Sequence, residues 1–411
     1  MASAHDPYAA LRISNFRKLL LSYATSTVAR EGQIVVVGWQ VYEQTRDPLS
    51  LGMIGLAEAL PFIAVALYAG HVADRASRRG IALAGTFALL LSAVALLLFT
   101  VRPGMIAPGH VWPIYLVIFL SGIARSFTRP SFTALSAEVV PREIYPSAVA
   151  WRTSSWQFAA VVGPALGGLL YGFSGPALAH AVVSVLMAIA LVTLWLVSHE
   201  AKPILKEDIT LGESLRLGIR FIWSQPVILS AMSLDLFSVL FGGATALLPI
   251  FAKTLGVGPQ GLGVLRAAPA VGSVVMGLWI AHRPPMRRAG PALFASVALF
   301  GFTIIGFALS TSFWLSLALL TIGGMADNVS VVIRGTLIQT MTPENLLGRV
   351  SSVNQIFIGS SNEIGAFESG VAARLMGTVP SVIFGGTMTL LVVAITLWRA
   401  PQLRRMREIR A

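Results

Sequence analysis

The sequence predicts an all-α integral membrane protein, with twelve transmembrane helices in two pseudo-symmetric six-helix bundles and both termini in the cytoplasm. Three observations predict it. Of 411 residues, 55% are hydrophobic and 12% charged, with a mean hydropathy of +0.76, whereas a soluble domain carries about 25% charge. Apolar runs follow one another almost end to end, each near the roughly 20 residues that span a bilayer. The bases, finally, gather in alternate connections. Backbone groups in hydrocarbon must be satisfied within their own segment, so the spans are helices. Continuous apolar runs such as 81–101 and 181–197 exclude the alternating strands of a barrel.

Turn signals divide the runs in order. Helix 1 (16–41) stops before Asp47-Pro48, helix 2 (50–70) at Gly70, and helix 3 (80–101) before Pro103-Gly104. Helix 4 (111–134) follows Pro108-Gly109, helix 5 (147–173) follows Pro146, and Gly175-Pro176 separates it from helix 6 (177–198). After a long connection, helix 7 (226–252) begins at Pro226, helix 8 (259–281) follows Gly258, and helix 9 (290–309) follows Pro284-Pro285. Helix 10 (313–338) precedes Pro343, helix 11 (350–376) ends at Gly377, and helix 12 (380–398) precedes Pro401.

With both termini inside, 21 of the 30 Lys and Arg fall in inner connections, three (Arg46, Arg102, Lys253) fall outside and six lie within spans. That bias sets the orientation and accounts for the net charge of +12 without nucleic acid. Residues 1–18 are polar and basic with no small-residue cleavage site, so no removed signal peptide is expected. There is no cysteine, and the six histidines show no metal-ligand spacing, so no metal site is expected. Trp39, Trp112, Trp314 and Trp398 fall near span ends as interface anchors.

The halves are related: Pro141, Gly163 and Gly168 recur as Pro343, Gly365 and Gly370, each shifted by 202, and Gly70 recurs as Gly277, shifted by 207. This predicts three domains: a bundle at 1–198, a linker at 199–225, and a bundle with a basic tail at 226–411. In the linker, Thr210 and Glu213 form a capping box. Leu211, Leu215, Ile219 and Ile222 follow at helical spacing, with Arg216 and Arg220 on another face. That pattern predicts an amphipathic helix along the inner leaflet, tethering the halves.

Between helices 2 and 3 runs Gly70-His71-Val72-Ala73-Asp74-Arg75-Ala76-Ser77-Arg78-Arg79, an acid and three arginines in a short connection. An Asp at a helix end can satisfy free N–H groups of a neighbour, and the arginines can bridge to Glu138 at the inner end of helix 4. Contacts of this kind, present only when the cytoplasmic side is closed, would bias a two-state gate. The pattern resembles the signature loop of the major facilitator superfamily, a family of secondary transporters. In the second half the loop keeps Gly277, Arg283, Arg287 and Arg288 but has no Asp.

Gly163-Pro164-Ala165-Leu166-Gly167-Gly168 in helix 5 resembles the G-P-x-x-G-G signature associated with exporters of that superfamily. Pro164 removes a backbone hydrogen bond, and Gly163, Gly167 and Gly168 permit close helix approach, which suits a pivot. Six acids (Glu31, Glu58, Asp235, Asp327, Glu363, Glu368) and six bases (Arg30, Arg125, Arg129, Arg266, Arg334, Arg374) fall within spans. Charges at such depth face a cavity or pair with one another. Glu58 and Arg266 each precede a proline by three residues, Pro61 and Pro269, at equivalent places in helices 2 and 8, which puts both near the outer mouth. Asp327, Arg30 and Arg125 are further cavity candidates. Glu31, Asp235 and Glu363 are the favoured proton-coupling groups: each is mid-span, and the resemblance implies that helices 1, 7 and 11 line the central cavity. A carboxyl held there could exchange protons as the cavity changes sides.

Leu248-Pro249-Ile250-Phe251 and Thr342-Pro343-Glu344-Asn345-Leu346-Leu347-Gly348-Arg349-Val350 extend the resemblance to the subgroup that contains the bacterial enterobactin exporter. It implies a proton-coupled exporter of an amphipathic small molecule, such as a siderophore or drug, in a bacterial inner membrane. The alternatives are a proton- or sodium-coupled uptake permease for a metabolite and a non-transporting receptor. No G-x-x-x-x-G-K-[ST] is present. An enzyme is therefore not expected; nor is a cofactor, energy coming from an ion gradient. The expected partners are a small-molecule substrate and the lipid bilayer, with no nucleic acid and no obligatory protein partner.

Overall fold

The computed structural model describes residues 6–75, 77–102, 104–198, 211–283 and 288–406, with the backbone alone at 66, 67, 69–75, 211 and 214. Its α-helices are α1 (Ser14–Thr45), α2 (Pro48–Arg75), α3 (Arg78–Val101), α4 (Trp112–Glu138), α5 (Tyr145–Trp195), α6 (Leu211–Ser224) and α7 (Pro226–Phe241). They continue as α8 (Leu248–Thr254), α9 (Gly258–Ala281), α10 (Ala289–Leu309), α11 (Phe313–Met341), α12 (Glu344–Met376), α13 (Thr378–Arg399) and α14 (Pro401–Arg405). Among the described residues there is no strand, only an isolated bridge between Ala107 and His110.

Eight stretches of these helices are long and apolar enough to cross a membrane. One, Arg142–Trp195, is 54 residues long. A straight helix of that length would reach about 80 Å, far more than the roughly 30 Å of hydrocarbon. It folds back at Gly175, whose φ of +80° and ψ of 176° lie where only glycine is at ease. Pro176 then opens the second arm, its fixed φ suited to a first helical turn.

The span expected at 226–252 is not one continuous helix. It breaks after Phe241 at the adjacent glycines Gly242 and Gly243, passes through a 3₁₀ turn at Ala244–Leu247 and resumes as α8. Two glycines remove the side chains that hold a helix against its neighbours, and Gly243 lies so close to α12 that a Cβ there would meet Ser369 Oγ at 2.8 Å. Trp39 is 9% exposed and belongs to the core, whereas Trp112, Trp314 and Trp398 are 58–77% exposed.

The chain divides into two compact units, Met1–Thr45 with Leu60–Glu207, and Arg46–Ala59 with Asp208–Ala411. The first is centred on α1 against α5 and α3 against α4. Its core includes Phe16, Leu19, Phe132, Leu135 and Leu194. In the second, α11 packs against both α9 and α10, with α13 against α10 and α12 against α7. Arg46–Ala59 groups with the second unit because Gly52 and Gly55 lie against α12: a Cβ on Gly52 would meet Gly370 Cα at 3.0 Å, and one on Gly55 the Ala366 Cβ at 2.7 Å. The linker helix α6 buries Gly218 and Ile222 against the second unit, where Val350 and Val353 of α12 receive them. It leaves Arg216, Ile219, Arg220 and Trp223 exposed. Thr210, the expected cap, lies outside the described residues.

Candidate functional site

Each unit carries its own polar interior. In the first, α1 places Arg30 and Glu31 side by side, Nη1 of the arginine 3.1 Å from Oε1 of the glutamate. Glu31 sits at a close approach of α1 to α5. A Cβ added at Gly163 would stand 2.6 Å from the Glu31 Cβ and 2.9 Å from the Val28 carbonyl oxygen. One at Gly167 would meet the Gly32 Cα at 2.9 Å. The glycines of the helix 5 motif therefore exist to admit α1 at its Glu31 turn. Pro164 and Gly168 are buried in the same stretch. The helix runs through Pro164 with helical backbone angles, its single non-helical residue being Gly175.

Arg125 and Arg129 lie one turn apart on α4 and, with Arg30, are close enough to interact through their charges. At the far end of α4, Glu138 forms an ion pair with Arg78, the first residue of α3. Arg79 donates from Nη2 to the Trp195 carbonyl at 2.7 Å, so α3 is tied to α4 and α5 at one end. Ser77 caps α3 by accepting from the Gly80 N–H. Gly70, Asp74 and Arg75 belong to α2, but their side chains lie outside the described set.

A second polar chain in this unit was not foreseen from sequence. Gln40 Nε2 donates to Thr100 Oγ1 at 3.0 Å, and its Oε1 accepts from His180 Nε2 at 2.9 Å. Tyr171 donates to Glu43 at 2.7 Å. The His180 and Tyr171 bonds fasten the last turns of α1 to the two arms of α5 on either side of Gly175.

In the second unit Asp235 of α7 pairs with Arg334 of α11, with side chains 9% and 5% exposed. Asp327, two turns before Arg334, faces the same small cavity as Asp235. Ser238, Val239, Val297, Phe300 and Ser330 complete its lining, and it has room for about one water molecule. Ser238 and Ser330 were not singled out from sequence, yet a signal was present. Asp235-Leu236-Phe237-Ser238 and Asp327-Asn328-Val329-Ser330 repeat one D-x-x-S spacing, which puts acid and hydroxyl on one face of each helix.

The remaining sequence candidates lie elsewhere in this unit. Arg266 donates from α9 to the Thr245 carbonyl in the 3₁₀ turn at 3.4 Å. Glu58 lies on the part of α2 that joins this unit. Glu363 and Glu368 are on α12, where the Glu363 carbonyl oxygen would stand 2.8 Å from a Cβ on Gly55. Arg374, further along α12, pairs with Asp47 at 2.9 Å.

Comparison with known proteins bears on the family and the fold. The sequence pattern of the Major Facilitator Superfamily matches residues 19–366. The enterobactin exporter EntS of Shigella boydii serotype 18 is 25% identical over 397 residues, covering 96% of this chain and 93% of the relative. EntS of Escherichia coli O139:H28 matches to the same extent. Among solved structures, a POT family transporter in complex with 5-aminolevulinic acid superposes with a TM-score of 0.71 at 12% identity, covering 94% of this chain and 96% of that one. A variant of the nucleoside transporter NupG gives 0.72 at 13% identity, covering 94% and 100%. These relatives are transporters and not enzymes. A multi-pass helical chain whose buried charges line the interior of two units, matched by the family's pattern over most of its length, is a member of the Major Facilitator Superfamily.

Proposed function

We propose that the chain is a proton-coupled exporter of an amphipathic small molecule, such as a siderophore or drug, working by alternating access in a bacterial inner membrane. One observation carries the reading: the likeness to proteins named as enterobactin exporters runs over 96% of the chain. The G-P-x-x-G-G motif supports it, since its glycines seat α1 at Glu31. The eight apolar stretches, the second arm of α5 and the charged helices α1, α4 and α12 make twelve crossings. The concentration of bases in alternate connections favours cytoplasmic termini. The three helices outside the apolar set carry Arg30, Glu31, Arg125, Arg129, Glu363 and Glu368, as helices facing an aqueous path do.

Inside-out vesicles holding a preformed proton gradient test this. Addition of a transported compound, from a panel of catecholate chelators, lipophilic cations and amphipathic drugs, discharges the gradient in wild type. Glu31→Gln or Glu363→Gln removes the discharge while expression persists. A panel that moves no protons, with solute instead accumulating in cells through this protein, would overturn export in favour of uptake.

A further inference from the structure

We infer that the cavity between α7, α10 and α11 is a binding site for one small monovalent cation, a proton or Na⁺, held between the Asp235–Ser238 and Asp327–Ser330 turns. The inference deepens the transport reading and rests on it only in making the bound ion the one whose gradient drives transport. Binding itself stands independently.

Charge comes first. Asp235 is matched by Arg334 in an ion pair that is almost wholly buried. Asp327 makes no hydrogen bond or ion pair among the described residues, though the charges of Asp235 and Arg334 both reach it. Two carboxylates against one guanidinium leave one formal negative charge in the membrane interior, where an unmatched charge is expensive. The α10 wall is Val297 and Phe300 and supplies no compensating cation. A single positive ion restores neutrality; a divalent one overshoots it.

Ligand atoms come second. Ser238 is 3% and Ser330 2% exposed, and the Oγ atoms of both lack a hydrogen-bond partner among the described residues. Hydroxyls on the neighbouring α10 are satisfied by their own helix: Ser296 donates to the Leu293 carbonyl at 2.9 Å and Thr303 to the Phe300 carbonyl at 2.8 Å. Thr86 and Thr342 are also buried without a partner among the described residues, but neither lines this cavity. A buried hydroxyl left without a partner is destabilising. Two of them, each one turn from a carboxylate and opening on the same water-sized space, are explained together by an occupant they contact. Carboxylate and hydroxyl oxygens are hard donors, which suit a hydrated proton or an alkali ion. The space excludes anything much larger than one water.

The test uses the purified full-length protein in detergent without transport substrate. Its thermal unfolding midpoint is followed as Na⁺ replaces choline at constant ionic strength, and separately as pH falls without Na⁺. Wild type is expected to gain stability in one arm: a response to Na⁺ identifies a sodium site, and a response to pH alone identifies a proton site. Asp327→Asn is expected to abolish the response. Ser238→Ala with Ser330→Ala, which keeps both acids, is expected to weaken ion affinity about tenfold. Glu344→Gln, exposed at the start of α12, leaves the response unchanged. A wild-type response to both ions that survives intact in Asp327→Asn overturns the site. If that variant does not fold, an unaltered response in the double serine variant overturns it equally. Ion binding without any proton or Na⁺ flux in vesicles would retain the site and remove coupled transport.

Discussion

Asp235 and Arg334 present side chains only 9% and 5% exposed, so each depends on the other to offset the loss of water. Removing one partner strands a buried charge, which typically costs about 3–5 kcal/mol, whereas replacing both with apolar groups of like volume is often neutral. Arg334→Met is therefore expected to unfold at a markedly lower temperature than wild type in detergent, and Asp235→Leu with Arg334→Met to recover most of the loss. Equal destabilisation of single and double variants would mean that Arg334 acts through other contacts. Both residues could be read in the sequence as intramembrane charges, because an ionised group in a hydropathic run stands out. Their serine neighbours could not, since a serine in such a run usually bonds to its own helix. Nor did sequence indicate that Arg334 would choose Asp235 over Asp327, which shares its helix face: that choice depends on where α7 lies.

At the level of the helix, the α1–α5 crossing is built on absent side chains. Leucine at Gly163 would have to displace Glu31 Cβ and the Val28 carbonyl, both nearer than 3.0 Å to the first atom it adds. Overpacking of this kind costs about 1–3 kcal/mol. Gly163→Leu is expected to leave a membrane-inserted protein whose transport is lost, while Gly212→Ala on α6, with nothing within 4 Å, keeps full activity. Radiolabelled efflux together with detergent unfolding separates the two; normal efflux by Gly163→Leu would show that the close approach is dispensable. Most helices were legible because hydropathy and turn residues mark their ends. The break in α7–α8 was not: Gly242-Gly243 lies inside an apolar run, and one turn of 3₁₀ helix leaves hydropathy unchanged. Trp39 misled for a related reason, since proximity to a span end says nothing about which face a ring occupies.

For the molecule as a whole, the sequence predicts two bundles and a separate linker, while the contacts divide the chain into two units, with the linker helix α6 in the second. They differ from the sequence boundaries at Arg46–Ala59, which joins the second unit through glycine contacts with α12. Such contacts are long-range, and no local pattern in α2 encodes them. The fold-back at Gly175 has a consequence during synthesis. Its two arms meet at one residue, with no hydrophilic loop to carry across the bilayer. They should therefore leave the insertion channel together, as one hairpin, and not as successive single helices. A force profile recorded with an arrest peptide at increasing chain lengths should show one broad pull spanning both arms. Two separate pulls would show that the ribosome delivers them one at a time and that the turn closes afterwards.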